Sequence, residues 1–171
     1  METTGGLTCR LSQTCTVYTC PNIADLTARL EGCTVFTKLD LRKGYHQVPI
    51  RREDVPKTAV ITPFGLFEYV RMPFGLRNAG QTFQCLMDRV LAGLDFAFCY
   101  LDDILIGSST PEEHLEAVLE RLQQHGLVLN GEKCVFGQPE VEYLGHVVSA
   151  RGLSPLPERV ATILLSRGQG L

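Results

Sequence analysis

The stretch Phe96-Ala97-Phe98-Cys99-Tyr100-Leu101-Asp102-Asp103-Ile104-Leu105-Ile106-Gly107-Ser108 decides how the chain is read. Two apolar runs, Phe96 to Cys99 and Ile104 to Ile106, flank an adjacent pair of acids, and Gly107-Ser108 closes the second run. Short apolar runs rich in Phe and Ile, bounded by turn residues, are the mark of buried strands. Two of them with a short polar break predict a β-hairpin carrying Asp102 and Asp103 at its tip. Adjacent carboxylates beside buried strands need a cation close by. A divalent ion such as magnesium suits them, because hard cations prefer carboxylate oxygens. A tip whose acids simply face water is the alternative.

Working outward, the chain of 171 residues is one domain or a large piece of something bigger. Hydrophobic residues make up 44%, enough for a core. No stretch approaches the roughly 20 apolar residues of a membrane span. The first residues lack the charged-then-apolar pattern of a signal peptide, so an intracellular protein is expected, cytoplasmic or nuclear undecided. The cysteines number seven, without a Cys-x-x-Cys pair, which argues against a zinc site. Cys85, Cys99 and Cys134 fall inside apolar patterns and are expected as reduced core thiols. A formal charge of −3 does not by itself point to nucleic acid. Basic residues do cluster locally, at Arg42-Lys43 and Arg51-Arg52.

Met1 to Val17 shows no period and reads as a loose arm. Ile23, Leu26 and Leu30 are spaced as one helical face, stopped by Gly32. Val35 to Leu41 alternates, with Val35, Thr37, Leu39 and Leu41 on one face and Phe36, Lys38 and Asp40 on the other. Arg42 to Tyr45 reads as a turn whose amides and cations could cradle phosphate. Strands are predicted over Lys57 to Thr62 and Phe67 to Arg71, joined through Pro63-Phe64-Gly65. An apolar loop, Met72 to Leu76, leads into a helix capped by Asn78 with Gln81 as capping-box partner. Its buried stripe is Phe83, Leu86, Met87, Val90, Leu91 and Leu94. After the hairpin, Thr110, Pro111 and Glu113 predict a second helix start. That helix buries Leu115, Val118, Leu119 and Leu122, keeps His114 and His125 on its wet face, and stops at Gly126. Strands follow at Leu127 to Leu129, Lys133 to Phe136 and Val141 to Val148. The alternation of helices and antiparallel hairpins predicts an α+β fold, an antiparallel sheet backed by helices.

Seven short blocks stand in a fixed order: Phe36-Thr37-Lys38-Leu39-Asp40-Leu41, Gly44-Tyr45-His46-Gln47, Lys57-Thr58-Ala59, Met72-Pro73-Phe74-Gly75-Leu76, Thr82-Phe83-Gln84, Tyr100-Leu101-Asp102-Asp103 and Tyr143-Leu144-Gly145-His146. Their order and spacing resemble reverse transcriptases, those of gypsy-type long-terminal-repeat retrotransposons and retroviral Pol polyproteins above all. The resemblance covers roughly Tyr18 to Ile163. It implies the palm and part of the fingers of a right-hand polymerase. The implied activity is RNA-directed DNA polymerase, extending a primer with deoxynucleoside triphosphates on an RNA or DNA template. By the same resemblance Asp40, Asp102 and Asp103 hold two magnesium ions, with manganese a possible substitute. Leu41, Arg42, Lys43, Gly44 and Tyr45 would wrap the triphosphate, and Tyr45 would exclude a 2′-hydroxyl. Phe74 would line the nucleotide pocket and Tyr100 would touch the primer terminus. Arg77 would contact template, and Tyr143, Leu144, Gly145 and His146 would grip the primer end.

The match to the family is uneven. Residues 1–17 do not resemble the family's upstream fingers, and residues 164–171 diverge. The expected organisation is therefore an arm (1–17), a truncated reverse transcriptase domain (18–163) and a divergent tail (164–171), without a ribonuclease H site. Expected partners are a template-primer, deoxynucleoside triphosphates and the remainder of a Pol polyprotein. The rival expectation is an inactive or host-retained fragment that only binds nucleic acid or protein.

Overall fold

The computed structural model describes Leu26 and residues 28–156, with backbone alone at 111–113. The predicted arm and tail, Ile23, Cys9, Cys15, Cys20 and the side chain of Glu113 lie outside the described residues. In chain order the elements are strand β1 (Val35–Asp40), β2 (Val60–Thr62), β3 (Gly65–Phe67), helix α1 (Ala79–Val90), β4 (Ala97–Tyr100), β5 (Asp103–Ser108), α2 (Pro111–Gln124), β6 (Val135–Gln138), β7 (Glu140–Tyr143), β8 (His146–Ser149) and β9 (Gly152–Pro155). Among the described residues no helix is long and apolar enough to cross a membrane.

The central sheet runs β4-β5-β1-β6. β1 and β5 are antiparallel in unbroken register from Val35↔Ser108 to Asp40↔Asp103. Both faces of this pair are covered. Leu39, Leu41, Ile104 and Ile106 pack with Phe83, Met87 and Val90 of α1 and Val118 and Leu122 of α2. Phe36 and Leu105 pack the other way, with Leu26, Leu30, Val141, Tyr143 and Val148. A strand buried on both sides needs apolar residues at successive positions, which is why Ile104-Leu105-Ile106 runs without alternation. Gly107 belongs to the same requirement: a Cβ there would stand 2.6 Å from Leu30 Cδ2 and 3.1 Å from Cys33 Sγ. The predicted α+β arrangement therefore holds, with both helices on one face and a three-stranded sheet, β7-β8-β9, over the other.

Several local expectations give way. Neither Asn78 nor Thr110 makes a side-chain capping bond. Asn78 has φ −104° and ψ 8°, not the extended backbone a capping residue uses. Before α2, the Ser108 hydroxyl engages both backbone groups of Thr110 instead. The strand predicted from Lys57 begins at Val60, because Val55–Thr58 closes a 3-10 turn with Pro56 in its first turn. The strand predicted over Phe67 to Arg71 divides: Phe67 pairs with β2, while Val70 and Met72 bond to Ile50 and Val48. Leu127 to Leu129 makes a single bridge, Leu129 to Leu41. Lys133 ends a 3-10 turn, so β6 starts at Val135. Val141 to Val148 is two strands around Leu144-Gly145, both with positive φ. Strand β9 forms although its Gly, Ser and Pro carry no strand signal. His114 is not on the wet face: it stacks on Phe96, centroids 3.9 Å apart and rings within 3° of parallel.

Candidate active site

Pairing of Tyr100 with Asp103 leaves Leu101 and Asp102 as the two residues of the β4–β5 turn. Leu101 has φ 55°, a left-handed backbone that a leucine adopts only at a cost of roughly 1–2 kcal/mol. Its surroundings hold it there. The Leu101 N–H donates to Gln84 Oε1 (2.7 Å) and its carbonyl accepts from Cys99 Sγ (3.0 Å). Burial first, then the charges of Asp88, Asp102 and Asp103, pushes the Cys99 thiol well above its ordinary range, so it stays a donor. Gln84 is buried and also donates from Nε2 to the Cys99 carbonyl (2.8 Å) and to Asp88 Oδ1 (3.0 Å).

This turn brings three acids together from two parts of the sequence. Asp40 ends β1 directly opposite Asp103, the first residue of β5. Opposite residues in an antiparallel pair have Cα atoms about 4.5–5.5 Å apart and side chains on one face. Asp102 lies one residue earlier, and its carbonyl accepts the Leu41 N–H (3.1 Å). Asp103 Oδ1 is 3.3 Å from Lys38 Nζ and Asp40 Oδ2 is 3.8 Å from Lys133 Nζ. Among the described residues no three His, Cys, Asp or Glu side chains already converge as a metal cage. The donor set is nonetheless the kind a hard divalent cation takes: carboxylate oxygens from adjoining strands.

The chain turns sharply after Asp40. Lys43 is left-handed (φ 50°) and Gly44–Gln47 forms a 3-10 turn. Gly44 is required by space: a Cβ would meet Phe83 Cζ at 2.8 Å and Asp102 Cβ at 3.3 Å. The amides of Leu41 and Arg42 are already used, by the carbonyls of Asp102 and Val128. The expected wrap over Leu41 to Tyr45 thus starts with two of its N–H groups engaged within the chain. Gln47 fixes the turn from behind. Its Nε2 donates to the carbonyls of Arg42 (2.7 Å) and Val128 (2.9 Å), and its Oε1 accepts the Val128 N–H (2.7 Å).

Tyr45 is held edge-on between Phe74 (5.3 Å) and Phe83 (5.2 Å). Burial, then Asp102 and Tyr100, raises its phenol, which therefore remains protonated. Phe74 packs its ring against Tyr45 and His46 yet stays 67% exposed. Tyr143 is buried on the other side of the sheet and donates its hydroxyl to the Asp103 carbonyl (3.3 Å). The Leu144-Gly145 turn follows, with the Leu144 carbonyl accepting from His146 Nδ1 (3.2 Å). The acids, Gly44, Tyr45, Phe74, Tyr100 and the Tyr143 end of the second hairpin thus gather around one sheet end. Arg77 is exposed and makes no ion pair or hydrogen bond among the described residues.

Sequence reasoning missed Gln84, Gln47, Lys38 and Lys133 as partners of this site. Gln84 left a trace, as a polar residue inside an apolar helical stripe. The others left none, because Val128, Asp103 and Asp40, which they reach, lie far along the chain.

The chain matches the family described as reverse transcriptase (RNA-dependent DNA polymerase) over residues 8–148. It is 42% identical over 152 residues to the retrovirus-related Pol polyprotein from transposon 297 of Drosophila melanogaster, covering 86% of this chain and 14% of that one. It is 38% identical over 153 residues to the Tf2-3 transposon polyprotein of Schizosaccharomyces pombe, covering 86% and 12%. The chain thus spans a small fraction of the length of these relatives. Its fold is shared with a foamy viral protease-reverse transcriptase in complex with double-stranded DNA (TM-score 0.75, 23% identity, 84% of this chain and 26% of that one). A prototype foamy virus protease-reverse transcriptase mutant is 30% identical with a TM-score of 0.63, covering 70% and 16%.

Proposed function

The chain belongs to the reverse transcriptase family, and from that premise we propose that it carries the catalytic palm of a retroelement Pol polyprotein and adds deoxynucleotides to a primer on an RNA or DNA template. The observation that carries this reading is the Asp40↔Asp103 pairing with Asp102 one residue away. These three carboxylates would hold magnesium or manganese. Bound there, the metal would supply activation of the primer 3′-hydroxyl and neutralisation of the leaving pyrophosphate.

The chain's own residues do the rest. Lys43, Gly44 and Tyr45 offer backbone amides, and Lys43 and Arg42 positive charge, to the triphosphate. Tyr45, fixed by Phe74 and Phe83, presents a rigid ring edge where a 2′-hydroxyl would have to fit. Phe74 walls the nucleotide pocket. Tyr100 meets the primer terminus, and the Tyr143–His146 hairpin, tied to Asp103 through the Tyr143 hydroxyl, sets the primer end against the acids. Arg77, exposed ahead of α1, would contact template. The polyprotein relatives support assigning the remaining grip on template-primer to further parts of such a polyprotein.

A second reading, a non-catalytic binding fragment, draws on the lysines that already occupy Asp40 and Asp103. Primer extension with the purified chain separates the two. We expect magnesium- or manganese-dependent incorporation that Asp102→Asn abolishes. No incorporation with either metal would overturn independent polymerase activity.

A further inference from the structure

Two lysines stand against three acids, and they are not equivalent. Lys133 is 66% exposed and reaches Asp40 at 3.8 Å, a loose contact from a 3-10 turn. Lys38 is 26% exposed, lies 3.3 Å from a carboxylate that is itself 31% exposed, and comes from the middle of β1. Its strand is bounded by β5 on one side and β6 on the other. By the alternation of β1 it shares a face with Asp40, two residues on. Asp103 is also held from behind, since the Tyr143 hydroxyl donates to its carbonyl. An ion pair between two anchored side chains loses little conformational freedom on forming, whereas a long exposed lysine loses much.

We infer that Lys38 is a resident counter-cation of the acid cluster, occupying Asp103 in the metal-free protein and competing with a divalent ion for it. The inference rests on the metal-binding reading of Asp40, Asp102 and Asp103. It goes further by ranking them. The Asp40 contact is weak and readily given up, Asp102 carries no lysine among the described residues, and Asp103 is reached last. It also accounts for the lack of a ready-made three-ligand cage among the described residues: Asp103 is turned to its lysine. Lys38 is therefore a positioning residue. It lowers the charge the acids present to one another, keeps the hairpin tip in register without metal, and sets the metal concentration at which the site fills.

The test is Mn2+ binding to the whole chain, followed as loss of the free-ion electron paramagnetic resonance signal, so that no polymerase activity is needed. Lys38→Met should lower the half-saturating Mn2+ concentration about two- to five-fold, the scale of a partly exposed ion pair. Lys38→Arg, which keeps the charge, should bind as wild type. In an Asp103→Asn background the Lys38→Met gain should largely vanish. Thermal melting of each variant separates loss of fold from loss of site. Unchanged or weaker Mn2+ binding in folded Lys38→Met would overturn the inference. So would an equal gain in the Asp103→Asn background, which would mean a general field effect. Wild-type binding that Asp102→Asn removes keeps the metal site standing in either case. An absence of Mn2+ binding in every variant overturns both together.

Discussion

Gln84 sits on the buried stripe of α1 beside Phe83, Leu86 and Met87, and makes three hydrogen bonds there. One of them takes the N–H of Leu101, the residue whose left-handed backbone aims Asp102. A strained turn persists only where its surroundings over-determine it. Gln84→Ala removes two donors and one acceptor at once, leaving the Leu101 N–H and the Cys99 carbonyl unmatched in a buried place. An unsatisfied buried polar group costs about 1–3 kcal/mol. We expect a loss of that size in chemical denaturation, with a fall in incorporation rate larger than the loss of folded protein explains. Gln84→Glu distinguishes the roles: it keeps the acceptor for Leu101 but places a charge near Asp88. It should hold the turn better than Ala while still destabilising the fold. Equal turn geometry and rate in Gln84→Ala and wild type would remove Gln84 from the site.

The elements differ in how plainly the sequence announced them. The β4–β5 hairpin and the α1 stripe were legible because both depend on local pattern: apolar runs around a break, and apolar residues at helical spacing. The face assignment of β1 was right, but the pattern did not show that Phe36, on the face of Asp40, is fully buried under β7–β9. No local pattern encodes which distant sheet will cover a strand. The two predicted capping boxes failed for a related reason, because loop backbone and a neighbouring serine decided the helix starts. The acids of the site were legible one by one, as residue types, and only the family resemblance joined Asp40 to the hairpin. The turn at 42–47 was readable as a turn, but not what pins it. Gln47 acts as one rung of a sheet, exchanging hydrogen bonds with Val128 in both directions. Gln47→Ala should therefore free the Val128 N–H, with amide hydrogen exchange at Val128 faster by about ten-fold, the equivalent of one net hydrogen bond near 1.4 kcal/mol. Exchange at Ile104 and Leu105, inside the β1–β5 ladder, should not change. An unaltered Val128 rate would show that the Arg42–Val128 and Leu41–Leu129 pairings hold the turn without it.

At the scale of the molecule, the acids stand where two cores meet. β1 and β5 form a wall one strand thick, with Leu39, Ile104 and Ile106 facing the helices and Phe36 and Leu105 facing the β7–β9 side. Asp40 and Asp103 close the end of that wall, so anything that shifts either core displaces the site. Neighbouring residues of one strand also cannot leave their cores separately, because the backbone bonds that hold Ile104 are those of the ladder that holds Leu105. The two cores should therefore unfold as one unit. Ile104→Ala empties one side and Leu105→Ala the other, and each buried aliphatic truncation costs about 2–5 kcal/mol. Both variants should lower stability strongly, each through a single transition. With no tryptophan in the chain, tyrosine reports well: Tyr45 packs against the helical core and Tyr143 lies in the other. Tyrosine fluorescence and far-ultraviolet circular dichroism should give coincident urea curves in both variants. A first transition confined to one tyrosine, with helical signal retained, would show that the wall is not shared, and that the β7–β8 hairpin can detach while the acids keep their register.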